Sequence, residues 1–427
     1  MGGGVRAAVL GVALAGAVMA AGAGLAAPLA PRDWMDPPPP GQRETLPPAP
    51  GELDAARAGF ERLRDADPAS PSPYIGLAEV AMRRDDLTAA EAYLRAGLAA
   101  NPRVPQLHRA LGRVHAAQGQ AEAAVADFDE AIRLAPDLPA AYLEIADLLS
   151  QRLDQPARAL PFYESVLSRD PGNGIARYGR ALALARTGEP ARAITELNDA
   201  ARLLPDSPVP DYARARLLVQ AGNSADALAA LDAALLRQPG FMMARIAKAS
   251  LLQAMGRQAE AFALYDAALQ DDPGSVAALL GVGMALQMDG QLSGAAARYR
   301  TALAIEPANT AAMNNLAWLA AIERRGLDDA LAWSRRAVAG APEEAAFADT
   351  LGWVLYQRGD FQEAETALAR AVALRASAAS LTRLAAVRAE LGRKAEAMAD
   401  IERALQIDPG YQPAREELAR LQQAPAR

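Results

Sequence analysis

Prolines recur along this chain at positions 68, 102, 136, 171, 205, 239, 273, 307, 342 and 409, at steps of 34, 34, 35, 34, 34, 34, 34, 35 and 67 residues. The last step is two periods whose shared boundary, near Ala376, lacks its proline and whose linker is one residue short. A fixed period of 34 residues means one supersecondary unit used many times, and such units bury a core only by stacking on their neighbours. Composition agrees with helices as the unit. Apolar residues make up 52% of the chain but aromatics only 5%, so the apolar surface is mostly Ala and Leu, suited to close helix packing and not to sheets.

One period shows the pattern: His108, Leu111, Gly112 and His115, then Gly119, then Ala124, Phe128, Ala131 and Pro136. Spacings of three and four place the first four residues on one face of a helix, and Ala124, Phe128 and Ala131 on one face of the next. Gly119 falls between them and recurs as Gly188, Gly222, Gly256, Gly290, Gly326, Gly359 and Gly392, where a left-handed residue ends the first helix at low cost. The proline stops the second helix, because it cannot continue the hydrogen-bond ladder and restricts the residue before it. Each period is therefore expected to be a helical hairpin.

This pattern resembles the tetratricopeptide repeat, whose signature has a large residue, Leu-Gly, a second large residue, Ala, an aromatic, Ala and Pro at these offsets. The second-helix alanine stays in register from Ala56 through Ala124 and Ala261 to Ala397. Arg177, Asp211 and Arg245 depart from the large first residue, and the turns at 152–154 and 323–326 each hold one extra residue, so those repeats are expected to pack less regularly. The expected fold is all-α: a right-handed α-solenoid of about ten hairpins over residues 69–409. A half repeat at 51–68 precedes it, and a polar capping helix and tail at 410–427 close it.

Arg6 is the only early charge, and residues 7–27 form an uninterrupted run of small apolar residues that reads as the core of a secretory signal, cleaved near Ala21 to Ala26. An uncleaved anchor in the inner membrane, facing the periplasm, is the alternative. Residues 28–50 hold nine prolines, including Pro37 to Pro40, and read as an extended linker. Both readings place the repeats outside the cytoplasmic membrane, in a bacterial periplasm, with membrane contact only through an uncleaved N-terminal segment.

Much chemistry is excluded. With no cysteine there is no disulfide, thiolate metal site or thiol nucleophile. His108 and His115 occupy packing positions seven residues apart, which is poor zinc geometry without a third ligand. No phosphate-cradling loop or nucleophile elbow occurs, and repeats running to Pro409 leave no appended domain for catalysis. No catalytic residue, metal or cofactor is expected. A net charge of −7 argues against nucleic acid as a partner. Of 44 basic residues only Lys248 and Lys394 are lysines, a bias read as genomic composition.

The resemblance implies a concave surface lined by the first helix of each repeat. Positions opposite the packing stripe give two zones. In the N-terminal half they include Arg83, Arg109, Arg113, Arg186 and Arg216, with Glu79 and Asp147, a basic stretch suited to an acidic segment. In the C-terminal half they give Leu280, Met284, Asn314, Trp318, Asp349, Trp353 and Tyr356. Trp318 and Trp353 are 35 residues apart, one period plus its inserted residue, and each follows a polar residue by four. Two roles are open for the pair: a peptide-binding hot spot, or stacking of both rings on the adjacent repeat. The run resembles one in bacterial envelope repeat proteins associated with exopolysaccharide production and protein sorting. The expected function is a non-enzymatic scaffold that binds protein or peptide partners of an envelope complex. The alternative is an accessory subunit of exopolysaccharide secretion or protein sorting that touches glycan or synthase directly.

Overall fold

The computed structural model describes residues 50–423; the segments read as signal and proline-rich linker lie outside them, except Pro50. Among the described residues there are 22 α-helices and no strand. The described chain divides into two compact units, one ending at Phe241 and the other beginning at Met242.

The first unit begins with α1 (Pro50–Ala66) and continues as five hairpins: α2 (Ser72–Arg83) with α3 (Leu87–Ala100), α4 (Pro105–Ala117) with α5 (Ala121–Leu134), α6 (Pro139–Asp147) with α7 (Pro156–Arg169), α8 (Gly174–Arg186) with α9 (Pro190–Leu203), and α10 (Val209–Gln220) with α11 (Ser224–Arg237). The second unit repeats the scheme: α12 (Met242–Ala254) with α13 (Gln258–Asp271), α14 (Val276–Met288) with α15 (Leu292–Ile305), α16 (Thr310–Glu323) with α17 (Leu327–Gly340), α18 (Ala345–Arg358) with α19 (Phe361–Leu374), and α20 (Ala378–Glu390) with α21 (Lys394–Ile407). It closes with α22 (Gln412–Gln423). Within each unit every helix packs on its sequence neighbours, the arrangement of an α-solenoid.

The turn glycines named from the period are the eight glycines at positive φ, from 64° at Gly326 to 87° at Gly359. Where a repeat lacks the glycine, Asp85 (φ 60°) and Asp154 (φ 52°) take the left-handed conformation instead, as the short polar side chain of Asp can. The two insertions are absorbed locally. A π-helical turn, Leu148–Arg152, takes up the first, and Arg324 (φ 53°) with Gly326 takes up the second.

The second-helix alanines, one per repeat from Ala90 to Ala397, are fully buried. Close approach also fixes the glycine of the first helix. A Cβ on Gly179 would lie 2.5 Å from the Tyr163 ring, so only glycine lets that aromatic close the joint between repeats.

Regular and irregular residues at the first position share one task. Tyr74 donates to the Pro68 carbonyl (3.1 Å), His108 Nε2 bonds the Pro102 carbonyl (2.9 Å), and Arg177 Nη2 donates to the Pro171 carbonyl (3.0 Å). Asp211 cannot donate; it is buried and held by Arg214 (2.8 Å) and Arg237 (2.7 Å), and Arg237 donates to the Pro205 carbonyl. The position selects a way to satisfy a helix-ending carbonyl, and size is secondary. The other histidine, His115, is buried with Nδ1 2.6 Å from Asp127 Oδ2.

Candidate functional site

The site lies wholly in the second unit and is built from the first helices of three successive repeats, α16, α18 and α20, with the closing helix α22. Helix α16 starts where Asn309 Oδ1 accepts from the Ala312 amide at 2.9 Å, and it packs directly on α18. Asn314 and Asp349 occupy the same place in their repeats, seven residues past Pro307 and Pro342, whereas Arg383 lies one residue beyond the equivalent Thr382, because the linker after position 376 is one residue short.

Asp349 and Arg383 make a buried ion pair across successive repeats. Arg383 Nη1 donates to Asp349 Oδ2 at 2.6 Å, and both residues are under 10% exposed. Burial pushes the Asp349 carboxyl above the usual carboxylate range, and the Arg383 charge opposes that rise. The guanidinium also lies over aromatic faces, with Cζ 4.8 Å from the Trp318 ring centroid and 5.6 Å from that of Trp353. Trp353 in turn stacks on Tyr356, with centroids 4.9 Å apart and planes 10° from parallel.

These side chains line a cleft of about 430 Å³. Trp318, Trp353, Tyr356 and Arg383 form one side, and Tyr411, Glu417 and Arg420, from α22 and the residue before it, form another. Burial raises the phenol pKa of both Tyr356 and Tyr411. Arg420 pairs with Glu417 at 2.6 Å and approaches Glu390 at 3.8 Å, which ties the closing helix to α20.

Of the five C-terminal residues singled out from sequence, Trp318, Trp353 and Tyr356 line this cleft, while Asn314 and Asp349 are buried and do not. The tryptophans differ. Trp318 is only 4% exposed, whereas Trp353 and Tyr356 are half-buried. Three buried atoms here have no hydrogen-bond partner among the described residues: Trp318 Nε1, Asn314 Oδ1 and Asp349 Oδ1. Arg383 was not among the sequence candidates, because the shortened linker puts it one residue past the register of Asn314 and Asp349.

The basic stretch lies in the first unit. Arg109 and Arg113 both face Glu144, at 3.3 and 3.9 Å, and Arg186 bonds Asp154 and the Ser150 carbonyl. Burial raises the Glu144 carboxyl pKa, and the two arginines oppose that. Arg83 is exposed, and Arg216 is half-buried with its charge felt by Tyr178 and Tyr212. Acceptors of the chain itself hold Arg109, Arg113 and Arg186, which weakens the basic field that the sequence implied.

Two family models, each described as tetratricopeptide repeat, match the chain, one at residues 75–139, 212–276 and 350–411 and the other at 152–217. None of the curated proteins matches it. Among solved structures it is similar to the APC/C hetero-tetramer Cut9–Hcn1, at 15% identity over 87% of this chain and 93% of the other, with a TM-score of 0.53. A tetratricopeptide repeat protein from Parabacteroides merdae matches at 15% identity over 61% of this chain and 98% of its own, with a TM-score of 0.46. At such identities the likeness speaks to the fold alone.

Proposed function

Because the chain belongs to the tetratricopeptide-repeat family, we propose that it is a non-enzymatic scaffold of the bacterial cell envelope, holding protein or peptide partners at the aromatic cleft of its second unit. The family fold supports protein binding in general. The cleft carries the choice of site: a half-buried Trp353–Tyr356 stack beside Arg383 gathers the three residue types that most often dominate binding energy. Trp318 serves as the packed floor and the half-buried Trp353 as the anchor. The N-terminal arginines, Arg83, Arg109, Arg113, Arg186 and Arg216, are the secondary surface in this reading.

The test is capture of a crosslinked partner from the envelope fraction. Trp353→Ala should weaken that partner's affinity by about 2 kcal/mol, or roughly 30-fold, with helicity retained. If Arg109→Ala with Arg113→Ala abolishes capture and Trp353→Ala leaves it unchanged, the site moves to the first unit. Export rests on the apolar run at 7–27 and the proline-rich linker after it. Mass spectrometry of the envelope-fraction protein should find an N-terminus between Gly24 and Pro31; a chain confined to the cytosol refutes the envelope assignment.

A further inference from the structure

The described helices open and close with half-hairpins of opposite kind. Helix α1 has second-helix register: Ala56, Phe60 and Leu63 stand 12, 8 and 5 residues before Pro68, as Ala124, Phe128 and Ala131 do before Pro136. No first helix precedes it among the described residues, and prolines at 37–40, 47, 48 and 50 are a poor sequence for one. Helix α22 has first-helix register. Arg415, six residues past Pro409, donates from Nη2 to the Pro409 carbonyl at 2.5 Å, as Arg177 does to that of Pro171. No second helix follows it among the described residues.

Exposure marks what each end lacks. Five residues before every later boundary, from Gly97 through Ala200 to Ala404, the residue is buried, and Gly97 lies against Tyr74 of its own first helix; Leu63, in that place on α1, is 58% exposed. Ten residues past each boundary stands a buried Ala or Gly, with Ala385 in that place behind the short linker, and Gly112 there abuts Phe128 of its own second helix. Ala419, the equivalent on α22, is exposed. Glu416, Glu417 and Arg420 line the cleft on one side of α22, which leaves Leu418, Ala419 and Gln422 as an uncharged strip on another. On α1 the strip of Leu53, Ala56 and Leu63 is uncharged too. Two α1 helices laid antiparallel on that strip would set Arg57 against Arg64, so a like helix is the poorer mate. We propose that α22 of one copy takes the first-helix place beside α1 of a second copy, completing a hairpin between chains with Ala419 against Phe60 as Gly112 lies against Phe128. The joint is made between copies and needs only these two end helices. It goes beyond the partner-binding reading and leaves the cleft open. Because the two faces differ, the contact can repeat, and chains extend head to tail.

The test is sedimentation velocity of the full exported chain. Its mass should rise with concentration, from that of one chain at about 1 μM toward that of two or more at about 100 μM, the range for a small interface. Leu63→Arg and Ala419→Arg each set a cation in one of the two strips at an exposed position, so circular dichroism should not change. Each should raise the midpoint concentration of association at least about 10-fold, leaving single chains at about 100 μM. Mixed in equal amounts, the two variants should form a two-chain species and nothing larger, since one copy brings an intact α22 and the other an intact α1. Should either variant lose helicity, Leu53→Arg and Gln422→Arg replace them in the same design. An Ala419→Arg chain that still pairs with itself overturns the joint and points to α1 on α1. A mixture that remains single chains overturns it as well, and so does an unsubstituted chain that stays single at about 100 μM. None of these outcomes bears on the cleft, which the partner capture experiment judges separately.

Discussion

Replacing Arg383 by Met should expose how much of the second unit rests on one cation. The guanidinium is 8% exposed, bonds Asp349 at 2.6 Å and lies over two indoles. Removing one partner of a buried pair leaves the other charge uncompensated, at a cost of about 3–5 kcal/mol, and loss of the ring contacts adds about 1 kcal/mol. The Met side chain restores part of the packing, which sets the expectation near 3 kcal/mol at pH 7. The carboxyl has an escape, because it can protonate. Burial already raises the folded-state pKa of Asp349, and without Arg383 it rises further. For a raised carboxyl, stability is fully present below the unfolded value, near 4, and is lost as pH rises through the folded value. The deficit of Arg383→Met should therefore be largest at neutral pH and shrink as pH falls toward about 4–5. Urea unfolding followed by tryptophan fluorescence reports on the right region, since Trp318, Trp333 and Trp353 all lie in the second unit. A deficit below about 1 kcal/mol at pH 7, or one unchanged at pH 5, would refute this account of the pair. So would failure of Asp349→Asn to recover stability in the Arg383→Met background.

Gly179→Val should cost about 3 kcal/mol or more, because the added carbons meet the Tyr163 ring; calorimetry should show a lower, broader transition for the first unit. Gly119→Ala, at φ 78° with open space around it, should cost only about 1 kcal/mol, and a loss as large as that of Gly179→Val would mean the turn does more than reverse the chain. Deleting one whole period, residues 273–306, should leave a shorter helical stack by circular dichroism, and loss of most helicity would contradict nearest-neighbour stabilisation.

The repeat grammar was legible because each element answers to a local rule: eight glycines at left-handed turns, one alanine per hairpin, and a proline at every boundary but the one near Ala376. The insertions were legible as positions and not as outcomes. Whether an extra residue becomes a π turn, as at Leu148–Arg152, or a left-handed pair, as at Arg324 and Gly326, depends on what each neighbouring helix can accommodate. Trp318 and Trp353 stood out because an aromatic recurs in register. Arg383 sits one residue past the register of Asn314 and Asp349, behind the shortened linker, so a search at equivalent positions passed over it. Glu144 escaped for a different reason. It sits one place off the column of Arg109, eight residues past its boundary proline where Arg109 is seven, and only the stacking of α4 on its neighbours brings the two together. The polar closing helix was readable as a cap, whereas its contribution of a cleft wall follows from packing angle.

That last contribution links two properties usually treated apart. A stack of hairpins frays from its ends, and α22 is the last described helix, held by buried Ala414 and Leu421 and by the Arg420–Glu390 contact. The same helix supplies part of the cleft. A ligand resting on both walls therefore raises the cost of opening the terminus, and by reciprocity a frayed terminus weakens the ligand by the same free energy. Occupancy should be visible as slowed amide exchange and protease resistance at the carboxyl end, far from any change in the rest of the stack.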